Sequence, residues 1–141
     1  MRLAAIDIGS NAARLLISEV TTDGNGTISF IKENLVRVPL RLGFDVFANG
    51  EISQYRRDMI LQTMKAYKHL LNVYEITHLK ACATSAMRDA ANSKQILSRI
   101  KKETGIDIIS GSTMVHNGNG PVYQMVHRGA IRNRLYRSLD L

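Results

Sequence analysis

The sequence predicts an α/β domain whose mixed sheet forms in the order βββαβαβ. Three apolar runs at the start of the chain are joined by short turns, which is typical of antiparallel strands. A long segment, residues 53–74, then repeats apolar side chains at three- and four-residue spacing, as an amphipathic helix does. Further strand-like runs alternate with helical segments up to residue 110. That alternation indicates parallel strands joined by crossover helices.

The first strands are predicted over residues 2–8, 11–20 and 27–38. Turn-forming residues at 21–26 separate the second strand from the third, so the three strands form an antiparallel meander. Pro39 ends the third strand, because proline cannot donate to a central ladder.

Ser53 is predicted to cap the long helix over residues 53–74. Its apolar face consists of Ile60, Met64, Tyr67, Leu71 and Tyr74. The elements predicted after it are a strand over 77–83, a short helix over 85–90, a helix over 94–103 capped by Asn92 or Ser93 and ended by Gly105, and a last strand over 106–110.

The composition is that of one globular domain, or of part of a larger one: 141 residues, 45% hydrophobic and 22% charged. The sequence holds neither an apolar run near the ~18 residues of a membrane span nor a signal-peptide cleavage pattern, so we expect a cytoplasmic protein with no membrane span. The single cysteine, Cys82, excludes an internal disulfide and is predicted to be a small buried side chain rather than a nucleophile.

The net charge of +7 favours anionic partners. Part of the surplus lies in residues 112–141, where four arginines stand against one aspartate. The composition argues against a nucleic-acid module, because aromatic residues make up only 6% of the chain and supply no stacking platform.

Residues 7–11 hold the first candidate functional residues. Asp7 ends the first strand, and Gly9, Ser10 and Asn11 turn the chain into the second. Such a turn can bring backbone N–H groups and small polar side chains to a phosphate, and Asp7 could hold a hydrated Mg²⁺ beside it. Taken alone, however, the segment fits a plain hairpin turn better than a phosphate site.

Four segments, occurring in order, resemble the exopolyphosphatase and guanosine pentaphosphate phosphohydrolase (Ppx/GppA) family. They are residues 5–17, 38–43 with 50–53, 81–92 and 108–111, and the third is the most specific. The resemblance implies that residues 1–111 form an actin-like ATPase (ribonuclease H-like) half-domain. It also implies hydrolysis of a terminal phosphoanhydride in polyphosphate or guanosine pentaphosphate, with Mg²⁺ as cofactor.

The resemblance also assigns roles to residues. Asp7 matches the carboxylate near the metal and the attacking water. The residues that match phosphate contacts are Gly9, Ser10, Asn11, Arg41, Thr84, Ser85 and Arg88. Arg88 would reach the phosphates from the start of a helix, and its guanidinium group can donate two hydrogen bonds to phosphate oxygens. Alternatives stay open: Arg88 and Arg41 as solvated surface residues, and Thr84 and Ser85 as plain helix caps.

The family pattern is lost after Gly111. The family has glutamates there, one of them the proposed general base, whereas here no acid follows until Asp140. The second phosphate loop and second domain of the family are not found, and residues 112–141 form an atypical basic tail. We therefore expect a truncated phosphohydrolase domain that is inactive alone, because hydrolysis needs groups on both sides of the substrate.

Partners and alternatives follow from this expectation. A second domain or a second copy would cover the cleft face. The chain could instead be a non-catalytic module that binds polyphosphate or nucleotide, or a fragment of another actin-like kinase. Residues 84–88 are not typical of those kinases.

Overall fold

The computed structural model describes residues 1–110, so the predicted basic tail over 112–141 lies outside the described residues. The elements are β1 (Arg2–Ile8), β2 (Ala13–Thr22), β3 (Ile28–Val38), α1 (Leu42–Asn49), α2 (Gln54–Val73), β4 (His78–Ala83), α3 (Ser85–Asp89), α4 (Ser93–Thr104) and β5 (Ile109–Ser110). No helix in this part of the chain is long and apolar enough to cross a membrane.

The five strands form one mixed sheet in the spatial order β3-β2-β1-β4-β5. The pairs β1–β2 and β2–β3 are antiparallel, whereas β1–β4 and β4–β5 are parallel. The predicted meander and the predicted mixed sheet are therefore confirmed. Because β1 and β4 are parallel neighbours, the chain leaves both strands at the same edge of the sheet, which is where ligands bind in open α/β sheets.

The hydrophobic core lies between one face of this sheet and the helices. Alternate residues of β1, namely Ala4, Ile6 and Ile8, belong to that core. The predicted face of α2 also points there, with Ile60, Met64, Tyr67 and Leu71 buried and Tyr74 partly buried. The Tyr67 hydroxyl donates to the carbonyl oxygen of Ala13 at 3.0 Å, which ties α2 to the strand that follows the 9–12 turn.

Helix α1 is absent from the sequence predictions. It follows Arg41, which adopts a left-handed conformation (φ 53°, ψ 39°) and makes no side-chain cap. The usual polar N-cap signal is therefore missing, and Gly43 further lowers the helical propensity of the segment.

Tertiary bonds stabilise α1 in place of local signals. The Asp45 carboxylate accepts the Ser53 backbone N–H at 2.9 Å and the Arg56 Nε–H at 2.9 Å. The same arginine donates from Nη1 to the carbonyl oxygen of Leu40 at 2.7 Å. The start of α2 thus holds the N-terminal part of α1 and the chain just before it.

The second and the last predicted strand differ most from the structure. The second strand begins at Ala13 rather than at residue 11, because the preceding residues form the tight turn, and it ends at Thr22 rather than at residue 20, so the first two residues of the predicted turn belong to the strand. The last strand comprises only Ile109–Ser110 rather than residues 106–110, although Ile106 and Ile108 are buried. Within the described residues, this strand pairs with Cys82 and Ala83 of β4.

Candidate phosphate site

The turn over residues 9–12 is closed by a hydrogen bond from the Gly9 N–H to the carbonyl oxygen of Ala12 at 2.9 Å. It is also held from outside by the start of α1. The N–H groups of Arg41 and Gly43 donate to the carbonyl oxygens of Asn11 and Ser10, each at 2.8 Å. Two of the predicted segments, the turn and residues 38–43, therefore meet in the fold.

The third predicted segment approaches the same turn from β4. The Thr84 N–H donates to the carbonyl oxygen of Ile8 at 2.9 Å, and its hydroxyl reaches the same oxygen at 3.3 Å. This contact places the first residue of α3 beside the turn, where the Ser10 and Ser85 Oγ atoms lie 2.9 Å apart. Two hydroxyls that are far apart in sequence thus form one half-buried pair.

Asp7 lies at the end of β1, with only 6% of its surface exposed. Its cross-strand neighbour is Arg14, whose Nη1 is 3.5 Å from the Asp7 Oδ2. Burial raises the pKa of Asp7 above its usual range, and the nearby Arg14 offsets only part of that effect. Sequence reasoning missed Arg14, because the pairing follows from strand register and no local pattern indicates it.

Residues 1–110 contain no group of three or more His, Cys, Asp or Glu side chains that could hold a metal ion. Mg²⁺ is commonly bound through one or two carboxylates, with waters and substrate phosphates completing its shell. A single carboxylate at Asp7 fits that pattern, provided that a phosphate supplies further oxygens.

Cys82 stands next to Asp7 on the neighbouring strand. Its Sγ lies 3.5 Å from the carbonyl oxygen of Ile6, and the side chain is half-buried, whereas a buried one was predicted. Burial, and to a lesser degree the charge of Asp7, raises the pKa of Cys82 to about 12. The thiol is therefore protonated at neutral pH, in agreement with the prediction that it is no nucleophile.

Arg88 is exposed on α3, which spans five residues and therefore little more than one helical turn. Its guanidinium binds the Asp89 carboxylate through Nε at 2.7 Å and Nη2 at 3.0 Å. That hydrogen bonding raises the pKa of Arg88. A phosphate at Arg88 would have to compete with Asp89, so its phosphate role stays a prediction.

Arg41 and Thr84 meet the turn through contacts other than those predicted. The Arg41 side chain is exposed, and the contact with the turn is made by its backbone N–H. Thr84 precedes α3 without making a side-chain cap, because its hydroxyl bonds to β1 instead. A phosphate role for either side chain stays a prediction.

Asn92, predicted as a helix cap, makes no side-chain cap. Its amide group instead donates to the carbonyl oxygen of Ile52 at 2.8 Å and accepts the Ile52 N–H at 3.1 Å. This two-way bond fixes the connection between α1 and α2 against that between α3 and α4. Asparagine is a common N-cap residue, so the sequence indicated a cap and gave no sign of the distant partner.

Comparison with known proteins gives one consistent result. The sequence model of the Ppx/GppA phosphatase family matches residues 19–119. Exopolyphosphatase 1 of Mycobacterium tuberculosis (strain ATCC 25618 / H37Rv) is 33% identical over 108 residues, covering 77% of this chain and 30% of that protein. A bifunctional 3-dehydroquinate synthase/phosphatase of Fusobacterium nucleatum is 37% identical over 113 residues, covering 77% of this chain and 17% of that protein.

Solved structures agree. The Aquifex aeolicus member of the Ppx/GppA family aligns with a TM-score of 0.68 and 33% identity, covering 79% of this chain and 36% of that one. An exopolyphosphatase from Cytophaga hutchinsonii aligns with a TM-score of 0.69 and 28% identity, covering 78% of this chain and 34% of that one. The predicted actin-like (ribonuclease H-like) fold class is confirmed, and the chain spans about a third or less of the length of these proteins.

Proposed function

Because the chain belongs to the Ppx/GppA phosphatase family, we propose that residues 1–110 form one wall of the phosphate-binding cleft of an exopolyphosphatase-like phosphohydrolase. The ligand is the terminal phosphate region of inorganic polyphosphate or guanosine pentaphosphate. The opposite wall would come from a second domain or from a second copy of this chain. A cytoplasmic location is part of the same proposal.

The observation that supports this proposal best is the pair of Ser10 and Ser85 hydroxyls at 2.9 Å. Each hydroxyl carries one proton, so only one of them donates within the pair. A phosphate oxygen can accept from both at once, which turns a single neutral bond into two charge-assisted bonds. A plain hairpin turn has no need of a second hydroxyl supplied by a distant helix.

Asp7 is the proposed metal ligand. A bound Mg²⁺ would neutralise phosphate charge, and its presence would favour the ionised form of a carboxylate that burial otherwise disfavours. The role of Asp7 itself is to hold a negative charge at the end of β1, next to the 9–12 turn. Binding should therefore depend on Mg²⁺ and be abolished by a chelator.

Hydrolysis by the 141-residue chain alone is expected to be slight. Phosphoanhydride cleavage relies on positioned groups on both sides of the phosphate, and losing a general base forfeits about 10²–10⁴-fold in rate. Phosphate release from polyphosphate in the presence of Mg²⁺ measures this directly. Ordinary enzyme turnover would refute the expected inactivity.

Calorimetric titration with inorganic tripolyphosphate tests the binding proposal. Wild-type chain should bind in Mg²⁺, more weakly as salt rises, and not in excess chelator. Ser85→Ala should weaken binding several-fold, whereas Ser98→Ala, at an exposed position of α4, should leave it unchanged. If the wild type does not bind, or if both variants behave alike, the cleft-wall proposal is wrong.

A further inference from the structure

Gly43 is buried in the first turn of α1, directly beside the 9–12 turn. Its N–H donates to the carbonyl oxygen of Ser10 at 2.8 Å. A Cβ atom added at this glycine would stand 3.2 Å from the Ser10 Cβ and 3.2 Å from the Phe47 Cε2. A side chain at position 43 would therefore press on Ser10 more tightly than ordinary van der Waals contact allows.

Backbone conformation gives no reason for a glycine at this position. The glycines with positive φ in the described part of the chain are Gly26, Gly50 and Gly105, and Gly43 is not among them. Glycine is also one of the least favourable residues inside a helix, so alanine would suit α1 better. The close approach to Ser10 is the reason that the structure offers.

We propose that Gly43 is a positioning residue for the phosphate site: its missing side chain lets Ser10 sit where its hydroxyl meets Ser85. The binding experiment that tests this inference rests on the proposed function. A second experiment, on stability, needs no ligand. Gly43 itself touches no phosphate. Its effect passes through Ser10.

The two neighbours would respond differently to an added Cβ. Phe47 is 84% exposed, so its ring can turn away into solvent. Ser10 has no such freedom, because its carbonyl oxygen is bound by Gly43 and its hydroxyl by Ser85. A shift of a few tenths of an ångström in Ser10 lengthens the 2.9 Å hydroxyl contact toward the limit of a hydrogen bond.

The first test compares Gly43→Ala with Gly24→Ala, a glycine around which no atom lies within 4 Å of an added Cβ. Gly43→Ala should leave the melting temperature nearly unchanged, because the helical gain from alanine offsets the lost hydroxyl bond, and yet bind tripolyphosphate about fivefold more weakly. Gly24→Ala should bind as the wild type does. A merely structural role would instead lower the melting temperature and leave affinity unchanged, which would overturn the proposal.

Double variants identify which neighbour transmits the effect. In a Ser10→Gly background the obstructing Cβ is gone, so adding Gly43→Ala should cost no further affinity. In a Phe47→Ala background the full fivefold loss should persist. Restoration of affinity by Phe47→Ala, or an undiminished loss in the Ser10→Gly background, would show that Ser10 is not the residue being positioned.

The stability experiment is independent of any ligand. Urea unfolding of Ser10→Ala, Ser85→Ala and the double variant measures the coupling between the two hydroxyls, first with Gly43 and then with alanine in its place. The coupling should vanish in the alanine background. A coupling that persists unchanged overturns the inference even if tripolyphosphate does not bind, whereas a wild type that fails to bind overturns only the proposed function.

Discussion

The hydroxyl pair of Ser10 and Ser85 makes a quantitative prediction about stability. The pair is a half-buried, neutral hydrogen bond of 2.9 Å, so its net contribution to the free energy of unfolding is about 1 kcal/mol. Removing either hydroxyl breaks the same bond, and the half-buried partner can then reach water. Ser10→Ala, Ser85→Ala and the double variant should therefore each lose about 1 kcal/mol, and not twice that amount for the double variant.

Phosphate binding should show the opposite pattern. A phosphate oxygen gains a charge-assisted bond of about 2 kcal/mol from each hydroxyl, but binding must first break the 1 kcal/mol pair. Each single variant loses one phosphate bond and is spared the cost of breaking the pair, a net loss of about 1 kcal/mol or fivefold in Kd. The double variant loses both phosphate bonds, a net loss of about 3 kcal/mol or roughly 150-fold, which exceeds the sum of the single losses.

Two assays on the wild type, the two single variants and the double variant test whether both hydroxyls bind one phosphate. Urea unfolding measures the stability cycle, and calorimetric titration with tripolyphosphate in Mg²⁺ measures the binding cycle. The expected signs are opposite, and this pattern is difficult to obtain from general damage to the fold. Losses that are simply additive in both assays would show that the two hydroxyls do not share a phosphate.

Three further predictions concern the surroundings of the site. Asp7→Asn should raise the free energy of unfolding at neutral pH and abolish Mg²⁺-dependent binding. Burial raises the pKa of Asp7, so the folded state keeps the proton to higher pH. Wild-type stability should therefore fall as pH rises above the ordinary aspartate pKa of 3.8, until the pKa of the folded state is passed. If urea unfolding gives a stability difference between wild type and Asp7→Asn that does not vary with pH, this prediction is wrong. Asn92→Ala should cost about 1–3 kcal/mol in urea unfolding, because it leaves the N–H and carbonyl of Ile52 without their partner, while Asn72→Ala on the exposed surface of α2 should stay within about 0.5 kcal/mol. Cys82, with its pKa raised to about 12, should react with an alkylating reagent far more slowly in the folded chain than in urea, and equal rates would contradict its protonated state.

The elements that were predictable from the sequence are those with local signals. Helix α2 shows a regular apolar face and a serine that accepts the Arg56 N–H at 3.4 Å, and α4 ends at Gly105 in the left-handed conformation that favours glycine. Helix α1 has neither signal, since it follows a left-handed arginine and depends on Asp45 bonds to a later segment. Its existence is a tertiary effect, which a local pattern cannot show.

The residues of the candidate site also differ in whether a sequence signal indicated them. The resemblance supplied Ser10 and Ser85 as separate candidates, and parallel pairing of β1 with β4 explains why they meet. Arg14 and Gly43 were missed, because their roles depend on which backbone lies opposite. Arg88 lies in the predicted short helix, and its bond to the neighbouring Asp89 was not predicted.

The hairpin and the phosphate-loop interpretations of residues 7–11 turn out to be compatible. Locally the segment is a hairpin turn, closed by its own Gly9 bond. Carbonyl oxygens of such a turn carry partial negative charge and would repel a phosphate. Here the carbonyl oxygens of Ile8, Ser10 and Asn11 are each bound by an N–H group from a distant segment. Those three bonds offset the repulsion and fix Ser10 against Ser85. The proposed phosphate site therefore depends on the segments that dock onto the turn, and for that reason the five residues alone could not decide between the two interpretations.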